Sequence, residues 1–347
     1  MEALDTIYFY NKVCNLKCLH CWTVPNYVNE NQHAHVRFED IVSIIGQASD
    51  LGLRAFKFCG GEPLLLPYFI PLLKYLLKGG IRITIETNGM LIDTEMCSLL
   101  NGKDIFVSVS LDGPNAMTHN FIRQSDIAFE KTIEGISLLK NHEIDYEIIF
   151  SLHNGNKDYL EEMLLFAEGL GAKDLKVNVI MECGRAEDSN KLSLPDVNEI
   201  LDIYKRLSAK KLDSNYFKII FDIPPAFKNI ESVVADNCRC GIKNILSVFS
   251  DGSISLCGIG NTEHSLIFGD IVHDKIKDIW SNTPFLKSIR EALPSGLSGI
   301  CGRCILKTVC MGKCIAQTFH HSGDIRSGYY FCEEAYSLGL FPLNRLI

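Results

Sequence analysis

The sequence predicts an α/β protein: a partial (β/α)6 TIM-like barrel followed by a small Cys-rich α+β domain. Three observations carry this. Short runs rich in Ile and Val alternate six times with helix-patterned segments between Asp5 and Lys211, as in a parallel sheet covered on both faces. Gly-rich and polar signatures fall just after those runs, where parallel α/β folds place their sites. Beyond Asn237 the apolar pattern thins and cysteines become dense. Six units, where a closed barrel has eight, make the barrel partial.

Asp5–Tyr10 is a β-branched and aromatic strand that leads directly into a cysteine loop. Phe38–Leu51 reads as a helix with Ile41, Ile44, Ile45 and Ala48 on one face. The strand Arg54–Phe58 closes on Cys59-Gly60-Gly61-Glu62-Pro63. A helix at Tyr68–Lys78 passes through Gly79-Gly80 into the strand Ile81–Glu86, which ends in Thr87-Asn88-Gly89. The alternation continues with helix Asp93–Leu100, strand Ile105–Leu111, helix Ala128–Asn141, strand Ile144–Leu152, helix Asp158–Leu170 and strand Leu175–Met181. Pro195 opens a helix to about Lys211, as suits proline in a first helical turn. Ile245–Ser250 and Ser253–Cys257 flank Asp251-Gly252 as a β-hairpin. A helix at Lys275–Ala292 precedes Gly- and Cys-rich coil. This last part has too little apolar pattern to form a core unaided, and metal ligation would contribute the missing folding free energy.

At 347 residues the chain accommodates one large domain and a smaller one. A net charge of −8 leaves no Lys/Arg excess to neutralise phosphates, which argues against a nucleic-acid-binding surface. No apolar run approaches the roughly 20 residues that span a bilayer. The start, Met1-Glu2-Ala3-Leu4-Asp5, lacks the basic and apolar regions of a signal peptide, so a cytoplasmic protein is expected. In that reducing compartment the 14 cysteines are expected to bind metal rather than form disulfides.

Cys14, Cys18 and Cys21 stand within eight residues of one another. Three thiolates so spaced suit three irons of a [4Fe–4S] cube, leaving the fourth open for chemistry. The alternative is zinc or reduced structural thiols, although zinc would want a fourth ligand and only His20 is at hand.

This loop, with Gly60-Gly61-Glu62-Pro63 after the second strand, resembles the radical SAM superfamily over about Tyr8–Met181. The resemblance implies that Cys14, Cys18 and Cys21 hold the cluster and that S-adenosylmethionine binds its open iron. One electron then cleaves the cofactor to methionine and a 5′-deoxyadenosyl radical. It further implies that Gly60, Gly61 and Glu62 receive the methionine amino group and that His20 lies near the adenine. Ser108–Gly113, followed by His119 and Arg123, is similar to the fourth-strand segment of radical SAM peptide modifiers. There a serine, here Ser110, approaches the cofactor and an arginine, here Arg123, meets the methionine carboxylate. Asn88 is a further cofactor-site candidate, and Asn-Gly is equally a common turn.

Cys240-x11-Gly252-x4-Cys257, then Cys301-x2-Cys304-x5-Cys310-x3-Cys314 and Cys332, looks like the SPASM domain with its two auxiliary [4Fe–4S] clusters. By that similarity Cys240, Cys257 and Cys314 bind the first, and Cys301, Cys304, Cys310 and Cys332 the second. Cys238 is the candidate fourth ligand of the first, which is otherwise open. The expectation is therefore three [4Fe–4S] clusters and three regions: barrel core 1–190, helical connector 191–236 and auxiliary-cluster domain 237–347. Cys59, Cys97 and Cys183 remain, and all three read as buried packing residues, with a catalytic role left open for Cys183.

Relatives with this domain pair mostly modify ribosomally made peptides or proteins by crosslinking, oxidation or fragmentation. That is the expected activity, with the auxiliary clusters accepting an electron or binding substrate. Gly258 stands where sulfatase-maturing relatives carry an aspartate base, which disfavours formylglycine formation. Asp251, Glu263, His264 and Tyr329 are loop residues among which no base stands out. With only a short stretch before Cys14, leader binding is expected from a separate partner protein or recognition from the barrel mouth alone, and a flavodoxin or ferredoxin is the expected electron donor. The alternatives are a tetrapyrrole-tailoring enzyme and a non-catalytic electron carrier.

Overall fold

β1 (Thr6–Asn11) runs through the middle of a mixed sheet and pairs in parallel on both sides. The molecule is seen in a computed structural model that describes residues 3–29, 35–210, 217–235 and 242–347. After β1 come two short strands, β2 (Val13–Cys14) and β3 (Asn26–Tyr27), which pair with each other across the cysteine loop. The alternating series follows: α1 (Phe38–Ser49), β4 (Ala55–Gly60), α2 (Phe69–Lys78), β5 (Arg82–Thr87), α3 (Thr94–Leu100) and β6 (Ile105–Ser110). It continues through α4 (Ala116–Arg123), α5 (Ala128–Asn141), β7 (Tyr146–Leu152), α6 (Leu160–Leu170) and β8 (Asp174–Val179). Beyond lie α7 (Arg185–Asp188), α8 (Val197–Ser208), β9 (Lys218–Phe221), α9 (Ile230–Ala235), β10 (Ile245–Phe249), β11 (Ser253–Ser255) and β12 (Ile267–Asp270).

The sheet order is β12-β11-β10-β1-β4-β5-β6-β7-β8-β9, parallel from β10 to β9 and antiparallel from β10 to β12. The α/β class and the six barrel strands are as the sequence predicts, but the parallel row is longer. β9 lies in the stretch read as a helical connector, and the hairpin strand β10 pairs with β1, Thr6 opposite Ile245. The C-terminal hairpin thus extends the barrel sheet.

The helices form where apolar residues recur every third or fourth position, and they bury that stripe against the sheet. Ile41, Ile44, Ile45 and Ala48 of α1 are buried against it, as are Leu72, Leu73 and Leu76 of α2. α4 was not anticipated: it is short and polar, begun by Asn115 accepting from the Thr118 amide at 3.1 Å. α8 begins at Val197, two residues after Pro195, because Asp196 and Glu199 form a capping box. The expected helix 275–292 is two, Ile276–Asn282 and Pro284–Ala292, since Pro284 has no amide to continue the first.

Candidate functional site

The strand ends of the barrel enclose a cavity of about 400 Å³. It is lined from nearly every strand of the parallel row, from Tyr8 and Tyr10 of β1 to Asn178 of β8, with Asp222 just after β9 and Ile245 of β10. Cys14, Cys18, Cys21, His20, Gly60, Gly61, Asn88, Ser110 and Arg123 all face it. These nine residues, far apart in sequence, are brought to one place.

The cysteine loop is fixed by its neighbours. Asn11 is buried, and its Nδ2 donates to the Glu62 carbonyl at 2.7 Å while its carbonyl accepts from the Gly61 amide at 2.6 Å. Gly60 has φ +100°, and a Cβ there would come within 2.6 Å of the Asn11 nitrogen. A Cβ on Gly61 would run into the Val13 carbonyl. The glycine pair is therefore demanded by the cysteine loop packed against it, as well as by any ligand. The Leu19 amide donates to the Ile122 carbonyl of α4 at 2.9 Å. Arg185 clamps the other side: its amide donates to the Cys21 carbonyl at 3.0 Å and its guanidinium to the Cys18 and Pro25 carbonyls, each at 3.2 Å. No local pattern marks Arg185.

Glu62 departs from expectation. It is fully buried and does not line the cavity. Its carboxylate accepts from the Leu64 amide at 3.1 Å, the Thr87 hydroxyl at 2.7 Å and the Asn88 amide at 2.8 Å. Burial pushes its pKa up to about 7 against the pull of those three donors. Glu62 braces the ends of β4 and β5, and Asn88, so held, donates to Asn15 Oδ1 at 2.7 Å.

Arg123 is buried and pairs with the wholly buried Asp112 at 2.6 Å. Burial opposes ionisation of Asp112, yet Arg123 and its other neighbours hold its pKa down at about 2. Arg123 Nη1 reaches Cys18 Sγ at 3.8 Å, while its Nε is buried without a partner. His20 is kept neutral by burial and by Arg123, its pKa lowered to about 3, and its Nδ1 is likewise unpartnered. So is Asn178 Oδ1, on a strand residue the sequence did not single out. Unmade hydrogen bonds on buried groups are costly. Two nitrogens and an oxygen on the walls of one cavity fit a bound molecule carrying charged and polar groups, as S-adenosylmethionine does.

Further in, the cavity wall is charged. Lys57 pairs with Glu86 at 2.5 Å and lies over the Tyr8 ring at 5.1 Å. Burial alone would lower the Lys57 pKa, but Glu86 raises it; burial would raise that of Glu86, but Lys57 and Lys176 lower it. The pair is ionised. Its sequence signal is a charge at an inward position of an apolar strand, as in Ala55-Phe56-Lys57-Phe58.

Cys257 and Cys314 face this same cavity, and Cys301, Cys304, Cys310 and Cys332 gather around a separate apolar one with Leu297, Ile300 and Phe341. The Tyr329 amide donates to Cys301 Sγ at 3.3 Å and the Leu306 amide to Cys304 Sγ at 3.4 Å, bonds that also tune cluster sulfurs. Cys238 and Cys240 lie outside the described residues. Among the described residues no three His, Cys, Asp or Glu side chains converge on a single ion; a cubane needs its thiolates spread around a larger body. Of the base candidates, Asp251 pairs with Lys12 at 2.7 Å, Glu263 with His320 at 2.7 Å, and Tyr329 donates to Gln317 at 2.8 Å. His264 is exposed. None of the four lines the cavity.

Residues 8–167 match the family model of the radical SAM superfamily, and residues 238–305 match that of SPASM, an iron–sulfur cluster-binding domain. An AdoMet-dependent heme synthase of Methanosarcina barkeri is 28% identical over 340 residues, spanning 94% of this chain and 93% of the relative. The subtilosin biosynthesis protein AlbA of Bacillus subtilis is 27% identical over 309 residues, spanning 85% of this chain and 65% of AlbA. The crystal structure of Streptococcus suis SuiB bound to S-adenosylmethionine superimposes with a TM-score of 0.75 at 17% identity, covering 96% of this chain and 78% of SuiB. That likeness is one of fold. Among the described residues no helix is long and apolar enough to cross a membrane.

Proposed function

The chain belongs to the radical SAM superfamily and carries a SPASM domain, and from that premise we propose that it oxidatively modifies a ribosomally made peptide or protein. The observation that carries the reading is that both cysteine sets open onto one cavity, Cys14, Cys18 and Cys21 on one wall and Cys257 and Cys314 on another. A substrate group seated between them lies beside the place where hydrogen is abstracted and beside a place where an electron can leave.

The cluster and S-adenosylmethionine, when bound, supply a 5′-deoxyadenosyl radical that abstracts hydrogen. The chain's own residues do the rest. Cys14, Cys18 and Cys21 hold the iron, and Arg123, fixed by Asp112, presents its guanidinium to the methionine carboxylate. Gly60, Gly61 and Asn88 supply backbone and amide groups around the methionine end, with Glu62 holding that turn rigid. Neutral His20 and Asn178 offer one polar atom each to the nucleoside. The seven SPASM cysteines would bind two auxiliary clusters, for three in all. Gly258 packs where a Cβ would meet the Tyr10 ring at 2.5 Å and the Trp22 ring at 2.6 Å. An aspartate cannot enter there without displacing both rings, which speaks against formylglycine formation.

The electron donor, a flavodoxin or ferredoxin, and a separate leader-binding protein belong to this reading, as does a cytoplasmic setting. The test is anaerobic reconstitution, reduction, and co-expression with candidate precursor peptides. Production of 5′-deoxyadenosine together with a peptide lighter by two hydrogens supports a crosslink or oxidation. The heme synthase match covers 94% of this chain and 93% of the relative, which favours tetrapyrrole tailoring as a second reading. Haem formed from an iron tetrapyrrole precursor, with every peptide unchanged, would replace the first reading by the second.

A further inference from the structure

Three cysteines lie outside the expected ligand sets, and the structure separates them. Cys97 sits on α3, buried in the general core with Met96 and Leu100. Cys59 donates to the Phe9 carbonyl at 3.6 Å and packs with Tyr10 and Phe249. Cys183 differs from both. It is 1% exposed, and its thiol makes no hydrogen bond among the described residues. It forms an apolar cluster with Ile259, Leu266 and Ala316, against which Cys257 and Cys314 both pack. Cysteines from three separate elements, the segment after β8, the end of the hairpin and the start of helix Ile315–Ser322, therefore pack on one apolar cluster, Cys183 within it and the half-buried Cys257 and Cys314 against it.

The position of Cys183 is set from both sides. Gly184 has φ +61°, and a Cβ there would come within 2.8 Å of the Cys21 carbonyl and 2.9 Å of Trp22 Cα. The next residue, Arg185, is bonded to the Cys21, Cys18 and Pro25 carbonyls. On the far side His320 bridges Glu263 at 2.7 Å and Glu187 of α7 at 3.6 Å. The segment is held between the first cysteine loop and the C-terminal part of the chain.

We propose that Cys183 is a ligand of the iron–sulfur cluster bound by Cys257 and Cys314. This rests on the reading that a cluster occupies that site. A cubane takes four thiolates; the family pattern supplies three with Cys240, and Cys183 is the further cysteine that packs on the same apolar cluster as Cys257 and Cys314. Ligation releases the thiol proton to solvent and gives the sulfur lone pair to iron, with no change of oxidation state. One cluster is then held by both parts of the chain, and loading it fastens the C-terminal part to the barrel.

The test uses the full chain with Cys14, Cys18 and Cys21 changed to alanine, so that only auxiliary iron is present. Into this background go Cys183→Ala, Cys183→Ser, Cys238→Ala and, as a control buried elsewhere, Cys97→Ala. Iron and sulfide per chain and the electron paramagnetic resonance spectrum of the reduced protein are read. The expected result is loss of up to about half the iron, or a three-iron signal, in Cys183→Ala. Cys183→Ser, which keeps the size of the side chain, shifts the spectrum of one cluster while melting like the Cys97→Ala control. Iron and spectra unchanged in both Cys183 variants overturn the proposal, whether or not Cys238→Ala loses iron. If Cys257→Ala and Cys314→Ala also lose nothing, it is the cluster at this site that fails, and the proposal falls with it.

Discussion

The two ends of the chain hold their cysteines in different ways. Cys14, Cys18 and Cys21 sit on one loop whose backbone is bonded to Gly61 at the end of β4, to Ile122 on α4 and to Arg185 after β8. The sheet therefore shapes that site whether or not iron is present. Cys301, Cys304, Cys310 and Cys332 come instead from short helices around a small apolar cavity. That region has little extended sheet to lean on, so on the proposed reading its order depends more on the metal. On that reading the first site can be refilled, whereas the second is assembled with its iron.

The strongest break of this contrast is Cys18→Ala. It is expected to abolish 5′-deoxyadenosine formation, a loss of at least about a hundredfold by chromatography, while auxiliary iron stays bound. Full cleavage by that variant would contradict the assignment of the loop. Removal of all iron by chelation should raise amide hydrogen exchange in 301–332 strongly and in β1 to β6 hardly at all. Equal exchange in both would erase the proposed difference.

Next in size is Arg123→Ala, which leaves Asp112 charged and unpaired in the interior and should cost about 3–5 kcal/mol in denaturant unfolding. The sign with pH follows from the depressed Asp112 pKa of about 2. The stability it contributes is present above the unfolded value near 3.9 and is lost as pH falls through about 2. Glu62 has the opposite sign. With its pKa raised to about 7, the folded chain takes up that proton more readily than the unfolded chain, which titrates near 4.3. Stability should therefore fall as pH rises from about 4.3 to about 7, and Glu62→Gln should flatten that slope. The amide cannot accept from all three donors, so a cost of about 1–3 kcal/mol accompanies the change. Cys97→Ala is the smallest perturbation, expected to cost about 1 kcal/mol and to leave iron content unchanged.

Local spacing made much of this legible beforehand. The cysteine loop, the Gly60-Gly61 turn and the seven later cysteines are short-range patterns, and alternating strands and helices follow from apolar periodicity within a few residues. α4 escaped because most of the residues it buries, Thr118, His119 and Arg123, are polar, and it starts from an asparagine cap rather than an apolar stripe. The split at Pro284 was readable in principle, since proline interrupts a helix wherever it falls.

By itself, then, the sequence determined the α/β class, the radical SAM loop, the SPASM cysteines and most strand boundaries, because each is encoded in neighbouring residues. Only the tertiary structure decided that β10 pairs with β1, that Glu62 braces the turn instead of lining the cavity, that Lys57 and Glu86 pair within it, and that Cys183 shares an apolar cluster with Cys257 and Cys314. The physical reason is common to all four. Each depends on residues brought together from distant parts of the chain by sheet register and packing, and no local pattern records where such partners will meet.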